Sequence, residues 1–326
     1  MVEEYDVIVI GGGIAGFSAA LYLARQGLRT LVISMDIGGQ LSYASTIENY
    51  PGLDPLPGQE LVMKVQRQAL SYGAQLLVDE VLAIEWLGDR FRVRTRRGGE
   101  FASVAVIVAS GKSPRKLGLP HEDRFLGRGL SYCVVCDAPL FKGKRVALAS
   151  FGEKGAEELA RLAAIASVVH YVTPSKDDLG LREAARHGNV VAHPGCKVVG
   201  IEGGDRLQGI RISCSDGTKV LEVDGLFVEM GFESRLDFVK DLVEINELGE
   251  IIVDDFCRTR TPGLFAAGDV TSKAVFKQAV IAAAEGAKAA LSAINYVLRR
   301  RGVARTVKAD WEKKTTREPV SKRFKL

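Results

Sequence analysis

The sequence predicts an α/β protein of two Rossmann-like, three-layer nucleotide-binding units, and three observations carry that prediction. An apolar run, Val7-Ile8-Val9-Ile10, ends in Gly11-Gly12-Gly13-Ile14-Ala15-Gly16. A second strand–loop–helix pattern begins at Arg145 with Val146-Ala147-Leu148-Ala149. Between the two lies Cys133-Val134-Val135-Cys136-Asp137, a compact dithiol followed at once by an acid.

The elements follow in order. Residues 5–10 read as a buried strand, because the run is continuous, β-branched and bounded by glycines. Residues 14–26 read as a helix, with Ile14, Phe17, Leu21 and Ala24 at helical spacing and Gly27 as its stop. Residues 29–33 form the next strand, completing a βαβ start. Residues 111–120, with two glycines and two prolines, read as a crossing between domains. After the strand at 146, residues 156–166 read as a helix and 168–172 as a strand. Residues 221–231 read as one apolar strand, and 251–253 and 264–267 as short ones. Residues 274–298 read as an alanine-rich helix, broken near Gly286.

The chain has 326 residues, 47% of them apolar, which suits two globular domains. It contains no uncharged apolar run of about 18 residues, and its start has no signal-peptide pattern. The expectation is therefore a cytoplasmic protein with no membrane or nucleic-acid partner. In that compartment a dithiol is catalytic or metal-binding more often than structural. His121, His170, His187 and His193 form no pair at zinc-ligand spacing, so redox is favoured and no metal is expected. Cys196, Cys214 and Cys257 are expected to be small buried apolar residues. Net charge is +4, unevenly spread: residues 299–326 carry eleven Lys and Arg against three Asp and Glu, +8, leaving −4 for the rest. Such a tail is either a solvated end or a docking surface for an acidic partner.

Gly11, Gly13 and Gly16 have the spacing of the dinucleotide fingerprint, following a strand and opening a helix. The glycines serve the tight turn, the close approach of a pyrophosphate and close helix–strand packing. The acid that would bind a ribose is missing: the second strand ends at Ser34, and Asp36 lies two residues on.

Further motifs occur in a telling order: Gly38-Gly39-Gln40-Leu41, Glu48-Asn49-Tyr50-Pro51-Gly52, Ala109-Ser110-Gly111, the Cys133 dithiol, and Gly263-Leu264-Phe265-Ala266-Ala267-Gly268-Asp269-Val270. In this order they resemble the low-molecular-weight thioredoxin reductases, over about 300 residues. The resemblance implies a homodimeric FAD protein whose FAD domain is interrupted by a pyridine-nucleotide domain carrying the dithiol. It assigns Gly11, Gly13, Ile14, Ala15 and Gly16 to the FAD pyrophosphate. Gly39, Gln40, Leu41 and Asn49 would lie along the flavin, with Ala109, Ser110 and Gly111 beside the cofactor. Gly268 and Asp269 would meet the ribityl or phosphate region, and Lys277, Gln278 and Ala279 the isoalloxazine. It makes Cys133 and Cys136 the redox pair, with Cys136 nearer the flavin. A flavin passes two electrons, matching one disulfide, and Asp137 is placed to exchange a thiolate's proton.

The chain departs from that family in its second unit. The family's Gly-x-Gly-x-x-Ala reads here Ser150-Phe151-Gly152-Glu153-Lys154-Gly155. Phe151 is bulky where backbone must approach phosphate, and Glu153 adds negative charge near a helix N-terminus. The family's His-Arg-Arg, which grips the 2′-phosphate of NADPH, reads Thr173-Pro174-Ser175. Poor or absent use of NADPH is expected, with Lys154 and Lys176 as the alternative phosphate ligands.

The expected organisation is an FAD domain in two segments, 1–115 and 246–300, an inserted dithiol domain at 116–245, and a basic tail at 301–326. The expected function is disulfide reduction: electrons pass from reduced FAD to Cys133–Cys136 and on to thioredoxin or a similar small protein. Ferredoxin or another acidic carrier would be the donor, and a second nucleotide or flavin the alternative occupant of the inserted domain. Hinges are expected at 111–117 and 231–236, and Trp311 or Phe324 is expected to cover the flavin. The rival readings are an NAD(P)H-dependent thioredoxin reductase with an atypical site, a ferredoxin–NADP reductase-like flavoprotein, and a non-catalytic redox sensor.

Overall fold

The computed structural model describes residues 2–44 and 46–303, the side chains of Tyr43 and Cys136 excepted. Trp311, Phe324 and most of the basic tail lie outside the described residues.

The first unit begins with β1 (Glu3–Ile10), α1 (Ile14–Arg25), β2 (Thr30–Ser34), α2 (Gly58–Ser71) and β3 (Gln75–Val78). Strands β4 (Val81–Trp86), β5 (Phe91–Thr95) and β6 (Glu100–Val108) follow. Val7, Ile8 and Val9 are fully buried. A parallel strand covered on both faces needs such a continuous run, and each such side chain contributes about 1.5–3 kcal/mol by leaving water. The sheet order is β3-β2-β1-β6-β5-β4. The start of β6 pairs antiparallel with β5.

Two-residue strand β7 (Ser113–Pro114) then leads into the second unit. There β8 (Leu130–Ser131), α3 (Val134–Asp137), β9 (Arg145–Ser150), α4 (Gly152–Ala163), β10 (Val168–Thr173), α5 (Leu179–Ala184) and β11 (Val190–Pro194) follow. Strands β12 (Lys197–Gly203), β13 (Leu207–Cys214), β14 (Gly217–Glu222) and β15 (Gly225–Glu229) complete it. A five-stranded parallel sheet has the order β11-β10-β9-β15-β8, and β12-β13-β14 form a separate sheet. One core lies between these sheets, and another under α4 and α5.

Strand β16 (Phe232–Glu233) pairs antiparallel with β7, placing Phe232 opposite Pro114. The two chain crossings therefore run side by side. The chain returns to the first sheet through β17 (Leu264–Ala266), parallel to the end of β6, and finishes in α6 (Ala279–Arg300).

Four readings of the sequence need correction. Helix α6 starts at Ala279 rather than 274, because residues 274–278 form an irregular segment that ends with Gln278 extended, in the site described below. It continues unbroken through Gly286, whose hydrogen faces α1: a Cβ there would sit 2.1 Å from the Ala15 carbonyl oxygen. The stretch 221–231 is two strands in different sheets, parted where the Asp224 carboxylate accepts the Arg145 N–H at 2.9 Å. Ile251 makes isolated bridges to Ile245 and Thr271 instead of a strand.

The cysteine expectation is also half overturned. Cys257 is a buried free thiol, but Cys196 and Cys214 form a disulfide. The hairpin register, with Lys197 opposite Ser213, brings the two Cα atoms to 4.3 Å. Only strand pairing makes them neighbours. Cys214→Ser is expected to lower the unfolding free energy of this unit by about 3 kcal/mol in urea titration. A loss below about 1 kcal/mol would show that the hairpin needs no bridge.

His170 and His193 stack across β10 and β11, with Nδ1 of the first 3.0 Å from Nε2 of the second. Burial, then the charges of His170 and Lys219, push His193 down to about 4 from 6.5. Burial, then the Arg145 charge, lowers His170 as well. The folded protein keeps His193 neutral while the unfolded chain binds a proton below 6.5. Its contribution is therefore complete above that pH and lost as pH falls from 6.5 towards 4, on the order of 3 kcal/mol in all. Unfolding titrations at pH 7.5 and 4.5 should show the difference, and His193→Leu should reduce it, leaving the part that His170 contributes.

Candidate functional site

The first glycine loop sits at the carboxyl ends of the parallel strands, where α/β folds hold ligands. Gly11 has φ +114°, and a Cβ there would meet the Ala109 carbonyl oxygen at 2.3 Å. A Cβ on Gly16 would stand 1.9 Å from the Gly11 oxygen. Protein packing therefore explains both glycines. It does not explain Gly13, whose φ is −88° and whose added Cβ would find its nearest heavy atom 4.0 Å away, at Gly38 O. Gly39, with φ +55°, faces Gly13 with equal room. Packing demands neither glycine, so bare backbone faces this part of the loop, as close approach of a pyrophosphate requires. Ser34, where an acid was missing, accepts the Gly12 N–H at 2.7 Å and so shapes the loop.

Residues far apart in sequence close the site. Ile14 and Ala15 are buried at the start of α1. The Gln40 amide donates to Asp269 at 3.0 Å, and the Asn49 amide to Gln278 at 2.9 Å. Leu41 packs on the core beside them. Ala109 N–H bonds to Ile10 O at 2.7 Å, and Ser110 and Gly111 continue from it. Gly268, at φ +78°, lies against Ala15, and its N–H donates to Glu285 at 2.8 Å. Gln278 caps α6, and Ala279 begins it. Burial raises the Asp269 carboxyl, and Lys277 partly offsets this.

Sequence reasoning missed a clasp behind this site. Glu250 accepts Lys112 Nζ at 2.8 Å and Lys277 Nζ at 3.0 Å, and Lys277 also donates to Asp269 O at 3.1 Å. Burial opposes ionisation of Glu250, yet bonds from Lys112, Asn246 and Lys277 hold it at about 2. The clasp joins the first inter-unit crossing, at Lys112, to the segment ending in Gln278. No motif announces it, because its three members lie 138 and 27 residues apart.

The dithiol segment lies in the other unit, on the single turn α3. Cys133, just before that turn, is disulfide-bonded, and Cys136 lies on it. Asp137 accepts the Ser131 hydroxyl at 2.6 Å, and that hydroxyl oxygen accepts the Cys133 N–H at 3.0 Å. Asp137 thus holds the turn through Ser131. The Val134 N–H is directed at Glu229 Oε1, 3.4 Å away.

In the second glycine loop Ser150 replaces the first glycine and donates its hydroxyl to Glu229 O at 2.6 Å. Gly152 keeps a positive φ of +71° with open space around it. Its N–H faces the Asp178 carboxylate at 3.4 Å, which also accepts the Thr173 hydroxyl at 2.8 Å. Gly155 is required by the Tyr171 hydroxyl, 2.6 Å from where its Cβ would be. Lys154 is paired with Glu229 at 2.8 Å. Lys176 runs its stem alongside Gly195. Among the described residues no metal-binding cluster is present, and no helix is long and apolar enough to cross a membrane.

Comparison with known proteins sets this geometry in context. The model of the pyridine nucleotide-disulphide oxidoreductase family matches residues 5–286. Thioredoxin reductase of Aquifex aeolicus is 40% identical over 299 residues, 89% of this chain and 92% of that protein. The F component of Staphylococcus aureus alkyl hydroperoxide reductase is 36% identical over 304 residues, 91% of this chain; the chain spans 60% of that protein's length. The crystal structure of thioredoxin reductase from Streptococcus pyogenes superposes with TM-score 0.72 at 32% identity, covering 92% of this chain and all of that one. A ferredoxin-flavin thioredoxin reductase from Clostridium acetobutylicum gives TM-score 0.52 at 31% identity, with the same coverage.

Proposed function

Because the chain belongs to the pyridine nucleotide-disulphide oxidoreductase family and is a thioredoxin reductase-like member of it, we propose that it is an FAD-dependent disulfide reductase. The reading has electrons pass from reduced FAD to the Cys133–Cys136 pair and then to thioredoxin or a similar small protein. The observation that carries it is the glycine loop in one unit, where Gly13 and Gly39 present backbone that packing does not require, together with a disulfide-bonded Cys133 in the other.

Bound FAD would supply a two-electron carrier whose capacity equals one disulfide. The chain's own residues do the rest. Gly13, Ile14, Ala15 and Gly16 would present backbone N–H groups to the pyrophosphate, while Gly11, whose own N–H is bonded to Ile33 O at 2.8 Å, makes the turn that lets it approach. Gln40 and Lys277 are both bonded to Asp269, and Asn49 to Gln278, a polar rim that would orient the ring. Ser131 and Asp137 hold the dithiol turn. The dithiol must meet flavin and then substrate, so the second unit turns on the β7–β16 ribbon.

For the donor we favour an acidic carrier such as ferredoxin over NADPH. Lys154 is already paired, Asp178 puts negative charge at the Gly152 N–H, and the basic tail suits an acidic partner. A homodimer in the cytoplasm completes the reading. The second reading, an NAD(P)H-dependent enzyme with an atypical site, is favoured by the open, positive-φ Gly152. Stopped-flow mixing separates them. The oxidised flavin should bleach with reduced ferredoxin and stay oxidised for seconds with micromolar NADPH or NADH. Rapid bleaching by either nucleotide would decide for the second reading.

A further inference from the structure

Glu229 stands where three parts of the second unit meet. Its Oε1 faces the N–H of Val134, the residue after Cys133, at 3.4 Å. Its Oε2 pairs with Lys154 of the glycine loop at 2.8 Å. Its carbonyl oxygen accepts the Ser150 hydroxyl at 2.6 Å. Three residues on, Phe232 of the crossing ribbon lies under Lys154, whose Nζ is 4.9 Å from the ring centroid. The Glu229 side chain is 6% exposed, so its charge acts in a medium that screens poorly. Its neighbour Glu158 shows the effect: burial, then the Glu229 charge, raises the Glu158 carboxyl. Glu158 Oε2 is buried without a hydrogen bond, and Arg161 stands 3.6 Å from it. On the dithiol side Asp137 is engaged by Ser131.

A buried carboxylate directed at the N–H of the residue after a cysteine opposes formation of the thiolate there. An ammonium paired with that carboxylate cancels the opposition. We propose that Glu229 is a positioning residue whose balance with Lys154 sets the thiolate fraction of Cys133, so that the glycine loop tunes the dithiol. The inference rests on the dithiol reading above. Chemistry at Lys154 then reaches Cys133 without touching it: whatever draws the ammonium away leaves Glu229 unbalanced and lowers the thiolate fraction.

The test is the rate at which iodoacetamide modifies Cys133 in chemically reduced protein, followed from pH 6 to 9 by peptide mass spectrometry. That readout separates Cys133 from Cys196 and Cys214. It needs no donor, no turnover and no protein partner, so its failure is distinct from failure of the proposed function. Lys154→Met should slow modification at pH 7 threefold or more, and Glu229→Gln should speed it by a similar factor. The double variant should return to within twofold of the parent, and it guards against a fold defect in Lys154→Met. Opposite shifts that cancel in the double variant support the proposal. Shifts of the same sign, or changes below twofold in either single variant, overturn it, because loss of packing alone has no reason to change sign.

Discussion

Cys133→Ser protein should fold, keep its yellow flavin and lose thioredoxin reduction by about a thousandfold or more. Serine fills the same volume, and the turn is held by Ser131 and Asp137 rather than by the sulfur. What disappears is the disulfide that accepts two electrons at once. Cys136→Ser should be equally inactive, because neither sulfur can close the bond alone. The two variants should differ in how fast the remaining thiol reacts with a chromogenic disulfide, and the slower one marks the sulfur turned towards the flavin. Retention of even a tenth of the parent's activity by either variant would sink the dithiol as the route to substrate.

The second large effect separates two kinds of glycine in one loop. Gly16→Ala is expected to destabilise the protein itself, by about 3 kcal/mol or more, because its Cβ must displace the Gly11 carbonyl 1.9 Å away. Gly13→Ala is expected to leave the apoprotein as stable as the parent, since its backbone is ordinary and the space is open. It should nevertheless weaken flavin binding by about 2 kcal/mol or more, because the methyl group stands where the pyrophosphate would approach the backbone. Denaturation of the apoproteins and titration with FAD read the two effects separately. Normal FAD affinity in Gly13→Ala would place the cofactor elsewhere.

These contrasts show where sequence was informative. The Gly11–Gly16 loop was readable because backbone turns impose local demands that only certain residues meet, and β1 was readable because a strand buried on both faces must be apolar throughout. The start of α6 was not, since alanines at 274–283 suit a helix whatever the chain does there. It is the Asn49–Gln278 bond that accompanies the extended entry. The apparent break at Gly286 misled for a related reason. Glycine was needed for the crossing of α1, not for a bend.

By itself, the sequence determined the class of fold, the positions of the glycine loop and dithiol, and the departures at Ser150 and Thr173-Pro174-Ser175. Each of these is written in neighbouring residues. Only the tertiary structure decided the Cys196–Cys214 bridge, the Lys112–Glu250–Lys277 clasp and the meeting of Glu229 with Lys154 and Val134. Gln40 and Asp269 are 229 residues apart in the chain, yet share a hydrogen bond. Sheet order and register choose such partners, and no local pattern encodes them. Burial then sets the strength of the charges so placed, and it is known only once the chain has folded.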